Sequence, residues 1–256
     1  MQLSPDQEAQ RVFAGEARTI TVIWHNAGGQ TAEAEIHTRL CQTSSATAVP
    51  LNERPWKQIE VLPGQTVLES ATVDFPAVND ETPFLVQWLE GTNRVLGKTE
   101  VLVYPTNLLA QLKVLMGDNV LGVLDPNNKL KPLLEQNRAD FVDLDEASLD
   151  DFRGKLAIIG PLQSKLQMRE GLAQSIQKIA RKGAAVVWIQ PPRGARDKLE
   201  PSFYPVPEGS GNVVVVQSEL VANPSESPQS QLNLIYFCKL ALNPEQFALS
   251  ELTPQP

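Results

Sequence analysis

The spacing of apolar residues changes near Tyr104-Pro105, and this change constrains the fold more than any other feature of the sequence. Before it, apolar residues alternate with polar ones in short runs broken by glycine, proline and asparagine. After it, continuous apolar runs alternate with stretches of helical spacing. Alternation indicates half-buried strands, whereas strand-then-helix repetition indicates a sheet with helices packed on it. The sequence therefore predicts two domains of different class, residues 1–106 and residues 107–256.

The first domain is predicted to be all-β. About seven short strands are indicated in residues 10–105, which is the strand spacing of immunoglobulin-like sandwiches. Ile20, Val22 and Trp24 fall on one face of one strand. Residues 62–65 (LPGQ) carry proline and glycine at the two central positions of a turn. Because the cysteine pair of antibody domains is absent, the sandwich is expected to be of the fibronectin-like or adhesin-like class.

The second domain is predicted to be α/β, with a doubly wound, flavodoxin-like parallel sheet. A helix is indicated by Leu172, Ile176 and Ile179, which share one helical face. A long polar loop rich in proline and glycine is predicted for residues 191–211. The runs interpreted as the five strands are residues 112–116, 141–144, 156–160, 184–189 and 213–216.

Charge and hydropathy argue against several classes of partner and against a membrane-spanning helix. The 256-residue chain has a net charge of −8, which argues against nucleic acid and anionic membrane surfaces as partners. No apolar run approaches the roughly 20 residues of a membrane-spanning helix. The amino-terminal residues MQLSPDQEAQ lack the apolar core of a secretion signal. The chain is therefore expected to be cytoplasmic or a piece of a longer protein, with a periplasmic or extracellular place favoured if that protein is exported.

Histidine and cysteine usage limits the available chemistry. His25 and His37 are the two histidines, and both lie in the first domain. A Cys–His pair or a Ser–His–Asp triad is therefore excluded within the second domain. Cys41 and Cys238 fall in different domains and are expected to be free, buried thiols.

Aromatic and acidic residues are predicted to be structural. Trp24 and Trp88 belong to alternating apolar series and are expected in the core, whereas Trp56 is expected to be more exposed. The acidic residues of the stretches 143–146 and 150–151 are expected to cap a helix rather than bind a cation. No metal site and no catalytic residue is predicted, and the lack of a glycine-rich phosphate motif predicts no nucleotide cofactor.

A ligand site is predicted at one edge of the second domain's sheet. In open α/β sheets, ligands bind beyond the carboxyl ends of the strands. Polar residues follow three of the predicted strands, so their side chains are expected to converge although they are distant in sequence. The candidate ligand-binding residues are Asp118, Asn119, Gln163, Ser164 and Gln190.

Residues 155–192, KLAIIGPLQSKLQMREGLAQSIQKIARKGAAVVWIQPP, resemble the core of the class I glutamine-amidotransferase-like superfamily. The resemblance extends over about residues 110–245 as a pattern of strands and helices, and Gly183 stands where the family often has a glycine pair. Active members carry a cysteine nucleophile at a strand-to-helix turn. Residues 159–162 (IGPL) occupy the corresponding turn here, so the resemblance does not extend to that chemistry.

An immunoglobulin-like module joined to such a domain is similar to accessory regions of β-galactosidase-like glycoside hydrolases. This resemblance implies a non-catalytic accessory or interaction module of a larger carbohydrate-processing or cell-envelope protein. It also implies a carbohydrate or protein partner, and a homo-oligomer formed through the α/β domain. Two alternatives remain open: a hydrolase of the amidotransferase-like superfamily with Asp, Ser or a metal at the strand edge, and a small-ligand sensor that uses the same edge.

Overall fold

A computed structural model of the protein describes residues 2–4, 9–91, 94–168, 170–192 and 200–245. The chain divides into two compact units, Met1–Thr106 and Asn107–Pro256. Residues 193–199 of the predicted long loop lie outside the described residues, as does much of the polar amino-terminal segment. No helix in the described ranges is long and apolar enough to cross a membrane.

The first unit consists of eight strands in two sheets. The strands are β1 (Gln2–Ser4), β2 (Gln10–Phe13), β3 (Gly15–His25), β4 (Ala32–Thr43), β5 (Ala48–Val61), β6 (Thr66–Phe75), β7 (Thr82–Glu90) and β8 (Arg94–Tyr104). One sheet has the order β1-β3-β6, and the other has the order β2-β8-β7-β4-β5. All neighbours are antiparallel except β2, which runs parallel to β8.

Alternating side chains of both sheets form the core of the first unit. Ile20, Val22 and Trp24 of β3 are buried together with Trp88 of β7, which confirms the predicted core position of both indoles. The Trp24 and Trp88 rings meet edge to face with centroids 6.1 Å apart. Trp56 is partly buried, and its ring centroid lies 5.2 Å from that of Trp88. The three indoles therefore pack against one another in the core, and Trp56 is the most exposed of them.

The second unit contains one six-stranded sheet and four described α-helices. The strands are β9 (Leu121–Leu124), β10 (Val142–Asp143), β11 (Leu156–Ile159), β12 (Ala185–Gln190), β13 (Ser202–Tyr204) and β14 (Val213–Gln217). The helices are α1 (Ala110–Met116), α2 (Lys131–Gln136), α3 (Leu172–Arg181) and α4 (Pro228–Leu242). The strand order is β10-β9-β11-β12-β14-β13, and β13 pairs antiparallel to β14.

Burial explains the apolar runs of this sheet. All residues of β9, β11, β12 and β14 are buried, so these strands have no polar face to alternate with. Helix α3 contributes Leu172, Ile176 and Ile179 to the core. Helix α4 begins after Ser227, whose side chain accepts a hydrogen bond from the Ser230 amide.

The predicted fold class, an immunoglobulin-like sandwich followed by a doubly wound, flavodoxin-like parallel sheet, is wrong. Parallel and antiparallel pairs occur together in the five-stranded and the six-stranded sheets. Strands make up 42% of the described residues and helices, with 3-10 helices included, 22%; two of the four described α-helices span only about two turns. The strands responsible for the mixed pairing, β2 and β13, have four and three residues. Such short edge strands are too brief to show a period in the sequence.

The prediction that residues 112–116 form a strand is also wrong, because they lie in helix α1. Leu112 and Met116 are spaced four residues apart and are buried, whereas Val114 between them is 84% exposed. The first strand of the sheet is β9, which lies nine positions further along. A short apolar run does not distinguish a strand from a buried helical turn. This shift changes which residues follow the first strand.

Candidate functional site

Four charged side chains meet where strands β9 and β10 end. Asp125 directly follows β9, and Asp143 is the last residue of β10. Asp145 lies two residues further on, and Lys131 begins helix α2. Because β9 and β10 are parallel neighbours, their carboxyl ends lie at the same edge of the sheet. We call Asp125, Lys131, Asp143 and Asp145 the charged cluster.

Lys131 is the centre of the charged cluster. Its Nζ donates to both carboxylate oxygens of Asp143, at 2.7 and 2.6 Å, and to Oδ2 of Asp145 at 2.8 Å. Only 12% of the Lys131 side chain is exposed. Burial by itself lowers the pKa of this amine, but the hydrogen bonds to Asp143 and Asp145 outweigh burial and raise it.

The carboxylate of Asp143 shows the complementary effect. The hydrogen bond from Lys131 lowers the pKa of Asp143 and outweighs the opposing effect of burial, and backbone amides that bind the carboxylate lower it further. The amide of Asp145 donates to Oδ1 of Asp143 at 2.8 Å. Lys131 therefore stays protonated and Asp143 stays ionised through the neutral pH range.

Asp125 joins the start of helix α2 to the end of strand β9. Its Oδ2 accepts from the amides of Leu130 and Lys131, at 2.6 and 3.1 Å. Its own amide donates to Oδ2 of Asp145 at 2.8 Å. Asp125 is 2% exposed, and its Oδ1 is buried without a hydrogen-bond partner in the described part of the chain. The carboxylate thus fixes backbone geometry and is shielded from solvent.

A lysine, not a recognised set of metal ligands, lies between the carboxylates of the charged cluster. The ranges that the structure describes contain no group of three or more His, Cys, Asp or Glu side chains able to hold a metal ion. The ammonium of Lys131 supplies the positive charge between Asp143 and Asp145. The arrangement neutralises carboxylates and ties together three elements, β9, β10 and α2.

Amide side chains link the loop after β9 to the loop after β11. The Asn127 Nδ2 donates to the carbonyl of Pro161 at 2.8 Å, and the Gln167 Nε2 donates to Asn127 Oδ1 at 2.6 Å. The amide of Gln163 donates to Gln167 Oε1, also at 2.6 Å. These bonds hold the two loops together beyond the carboxyl ends of β9 and β11.

Three of the predicted ligand-binding residues follow the carboxyl ends of strands. Gln163 and Ser164 lie in the loop after β11, and both are exposed. Gln190 is the last residue of β12 and is 8% exposed. Gln190 pairs with Gln217 of β14 in the register of the sheet.

Asp118 and Asn119 lie elsewhere. They precede β9 and therefore stand at its amino end, the opposite edge of the sheet. The Asn119 side chain donates to the carbonyl of Met116 at 2.9 Å and so closes the end of helix α1. The five candidate residues do not converge, because the strand that was placed before Asp118 is a helix.

The sequence reasoning did not identify Asp125 or Lys131 as site residues. The sequence does contain a feature that could indicate a strand end here, because the apolar run VLGVL is followed directly by Asp125 and Pro126. A short apolar run that ends in an aspartate is a plausible strand end in an α/β unit. Asp143 and Asp145 were interpreted as helix-capping acids, whereas the structure places both on Lys131.

Both cysteines are free and buried, which confirms the prediction of two free thiols. Burial raises the pKa of Cys238 to about 12. Burial also raises the pKa of Cys41, against the opposing effect of Arg39. A protonated, buried thiol is a poor nucleophile near neutral pH.

Comparisons with known proteins give little further guidance. No family model matches the chain, and no curated protein matches it. A β-glucosidase from Listeria innocua in complex with glucose is 13% identical, with a TM-score of 0.31, over 40% of this chain and 16% of that one. An alkylpurine DNA glycosylase from Pseudomonas fluorescens bound to DNA is 11% identical, with a TM-score of 0.29, over 36% of this chain and 27% of that one.

A β-glucosidase from Erythrobacter marinus is 9% identical, with a TM-score of 0.29, over 38% of this chain and 14% of that one. The chain thus spans less than a third of the length of each of these three proteins. Likeness at this level of identity and TM-score identifies neither a fold family nor a function.

Proposed function

We propose that this chain is a non-catalytic accessory or interaction module of a larger carbohydrate-processing or cell-envelope protein. In this proposal the first unit is a spacer or docking element, and the second unit contacts the partner or assembles with other copies. The observation that carries the non-catalytic part is the state of the charged cluster. Asp125, Asp143 and Asp145 are all engaged by Lys131 or by backbone amides.

The pKa shifts support the same conclusion. A general acid or base works best when its pKa lies near the operating pH. In the charged cluster the pKa of Lys131 is raised and that of Asp143 is lowered, so both shifts lead away from neutrality. Neither group is set up to exchange a proton with a substrate near pH 7.

Two candidate nucleophiles of the second unit, Cys238 and Ser164, lack activation. Cys238 is fully buried with a pKa of about 12. Ser164 is exposed, but within the described residues its hydroxyl makes no hydrogen bond to a base. A serine nucleophile requires an adjacent base that accepts its proton. The resemblance of residues 155–192 to amidotransferase-like domains therefore supports an accessory role better than a hydrolytic one.

The proposal is tested by incubating the purified full chain with glutamine, simple esters and aryl glycosides. We expect no product above the protein-free blank. Hydrolysis that disappears in Ser164→Ala or Asp118→Ala, but persists in the exposed control Ser148→Ala, would contradict the non-catalytic role.

A further inference from the structure

We infer that a surface groove beside helix α2 binds a neutral oligosaccharide. The inference rests on the proposed function, because it names a ligand for the module. The groove has a volume of about 710 Å³ and runs between α2 and residues 138–143. This volume lies within the roughly 300–1,000 Å³ typical of small-molecule sites. Its lining includes Pro132, Glu135, Arg138 and Phe141.

The groove has a polar floor that is held in place and polar walls that are exposed. Lys131 and Asp143 of the charged cluster contribute to its lining and are held together by two hydrogen bonds. Glu135 and Arg138 are exposed. Because the charged cluster holds the side chains of the groove floor in place, these side chains need little reordering when a ligand binds. Pre-organisation of this kind favours affinity.

Three side chains of the groove have unused hydrogen-bonding capacity. Asn128, Glu135 and Arg138 make no side-chain hydrogen bond or ion pair with any residue in the described ranges. Arg138 offers only donors, Glu135 offers acceptors, and Asn128 offers both. A sugar hydroxyl is both a donor and an acceptor, so a row of hydroxyls can satisfy all three side chains.

The charges of the groove favour an uncharged ligand. The charge of Lys131 is already neutralised by Asp143 and Asp145. An anionic ligand would face the carboxylates of Glu135, Asp140 and Asp143, and a cationic ligand would face the guanidinium of Arg138. Like-charge juxtaposition of this kind excludes strongly charged partners. A neutral, hydroxyl-rich ligand avoids both penalties.

The groove also offers apolar contact area. Phe141, Pro132 and Ala139 contribute to the lining beside the polar groups. Phe141 is half-buried, which leaves part of its ring accessible. An aromatic ring and a proline suit the C–H faces of pyranose rings, whose hydroxyls project sideways towards polar groups. Sites of this kind combine apolar surface with a few placed polar groups.

Two residues of the groove have left-handed backbone conformations. Asn128 and Arg138 line the groove and have positive φ angles of 50° and 55°. Arg138 stands directly after the cap residue of α2, where the Ala139 amide donates to the carbonyl of Leu134. Glycine is the usual residue at this position. Left-handed non-glycine residues cluster at binding sites, and here the strained position carries an unpaired arginine.

The test is calorimetric titration of the full chain with neutral hexasaccharides of β-1,4-glucan, β-1,4-xylan and α-1,4-glucan. We expect saturable binding of at least one of them. Arg138→Gly removes the guanidinium while suiting the left-handed backbone, and it should weaken binding at least tenfold. Glu135→Ala should weaken binding as well. The control Arg181→Ala removes an exposed arginine of α3 outside the groove and should leave binding unchanged.

Several outcomes would overturn the inference. One is the absence of saturable binding to all three sugars. Another is binding that both Arg138→Gly and Glu135→Ala leave unchanged. A third is binding of oligogalacturonate or of free amino acids that is tighter than binding of the neutral hexasaccharides. Chromatography of the same samples separates this inference from the proposed function. Shortened sugars would contradict the non-catalytic role, whereas intact sugars without binding would contradict only the groove.

Discussion

The interior of the first unit and the charged cluster of the second are stabilised by different forces. Trp24, Trp56 and Trp88 contact one another in a core of apolar side chains. The charged cluster instead places Lys131 among carboxylates at the end of a sheet. Apolar burial is non-directional and independent of protonation, whereas ion pairs require defined geometry and charge. The first arrangement depends on packing, and the second depends on the charge state of its members.

The largest effect is expected from Trp24→Ala in the first core. This change removes a fully buried indole and its contacts with two others, and it should lower the free energy of unfolding by about 3–5 kcal/mol. Urea denaturation measures the loss, and hydrogen exchange locates it within residues 9–91. The control Phe203→Ala removes an aromatic ring that is 53% exposed and should have little effect. A loss below about 1 kcal/mol for Trp24→Ala would show that the indole contacts do not hold this core.

A smaller loss is expected from Lys131→Met, which tests the charged cluster. The change removes three hydrogen bonds and leaves Asp143 and Asp145 without their cation. Breaking a fully buried pair costs about 3–5 kcal/mol, and exposed pairs contribute about 0–1 kcal/mol. Because Asp143 and Asp145 are 30% and 18% exposed, we expect a loss of about 2 kcal/mol at pH 7. Urea denaturation at that pH measures it.

The pH dependence of this loss distinguishes charge from packing. The pKa of Asp143 is lower in the folded protein than its ordinary value of 3.8, so its stabilisation is complete above that value and lost as the pH falls below it. Lys131 has a raised pKa, so its contribution persists below 10.5 and fades only above. The difference between wild type and Lys131→Met should therefore shrink from pH 5 to pH 2. A constant difference would mean that Lys131 acts through packing alone.

The control for Lys131→Met is Lys178→Met. Lys178 binds Asp150 at 2.5 Å, but both side chains are more exposed than those of the charged cluster. The hydrogen bond from Lys178 is the main reason that the pKa of Asp150 is lowered. Lys178→Met removes this one hydrogen bond at an exposed pair, whereas Lys131→Met removes three at a more buried site. We expect a clearly smaller loss for Lys178→Met. Equal losses in the two variants would remove the contrast between the charged cluster and an ordinary surface pair.

The two regions also differ in how well their strand positions can be predicted from the sequence. The alternation of Ile20, Val22 and Trp24 is local, so the core position of this strand could be predicted. The position of β9 could not, because LKVLM and LGVL are apolar runs of similar length. Burial of one face makes the first a helix, and burial of every residue makes the second a strand. That difference arises from tertiary contacts, which periodicity in short segments does not report.

The charged cluster was harder still to predict. Its four members come from three separate segments, and their meeting depends on the parallel pairing of β9 with β10. A first strand predicted at residues 112–116 is followed by Asp118 and Asn119, whereas the observed β9 is followed by Asp125. The error concerns two of the five candidate residues, Asp118 and Asn119, which stand at the opposite edge of the sheet. The rule that ligands bind beyond the carboxyl ends of strands was applied to residues 112–116, which form a helix.

The smallest expected effect is a gain in stability from Arg138→Gly. This variant tests whether the Arg138 side chain contributes to the stability of the fold. Arg138 holds a left-handed φ of 55° at the end of α2. A side chain in that conformation costs roughly 1–2 kcal/mol, and glycine avoids this strain but loses more chain entropy on folding. The net result should be a gain of about 0.5–1 kcal/mol in the free energy of unfolding, measured by urea denaturation. Asn128→Gly is the matched comparison, because asparagine tolerates φ near 50° and should gain less. If Arg138→Gly instead destabilises the chain, the guanidinium supports the fold, and its role in the groove would no longer be separable from stability.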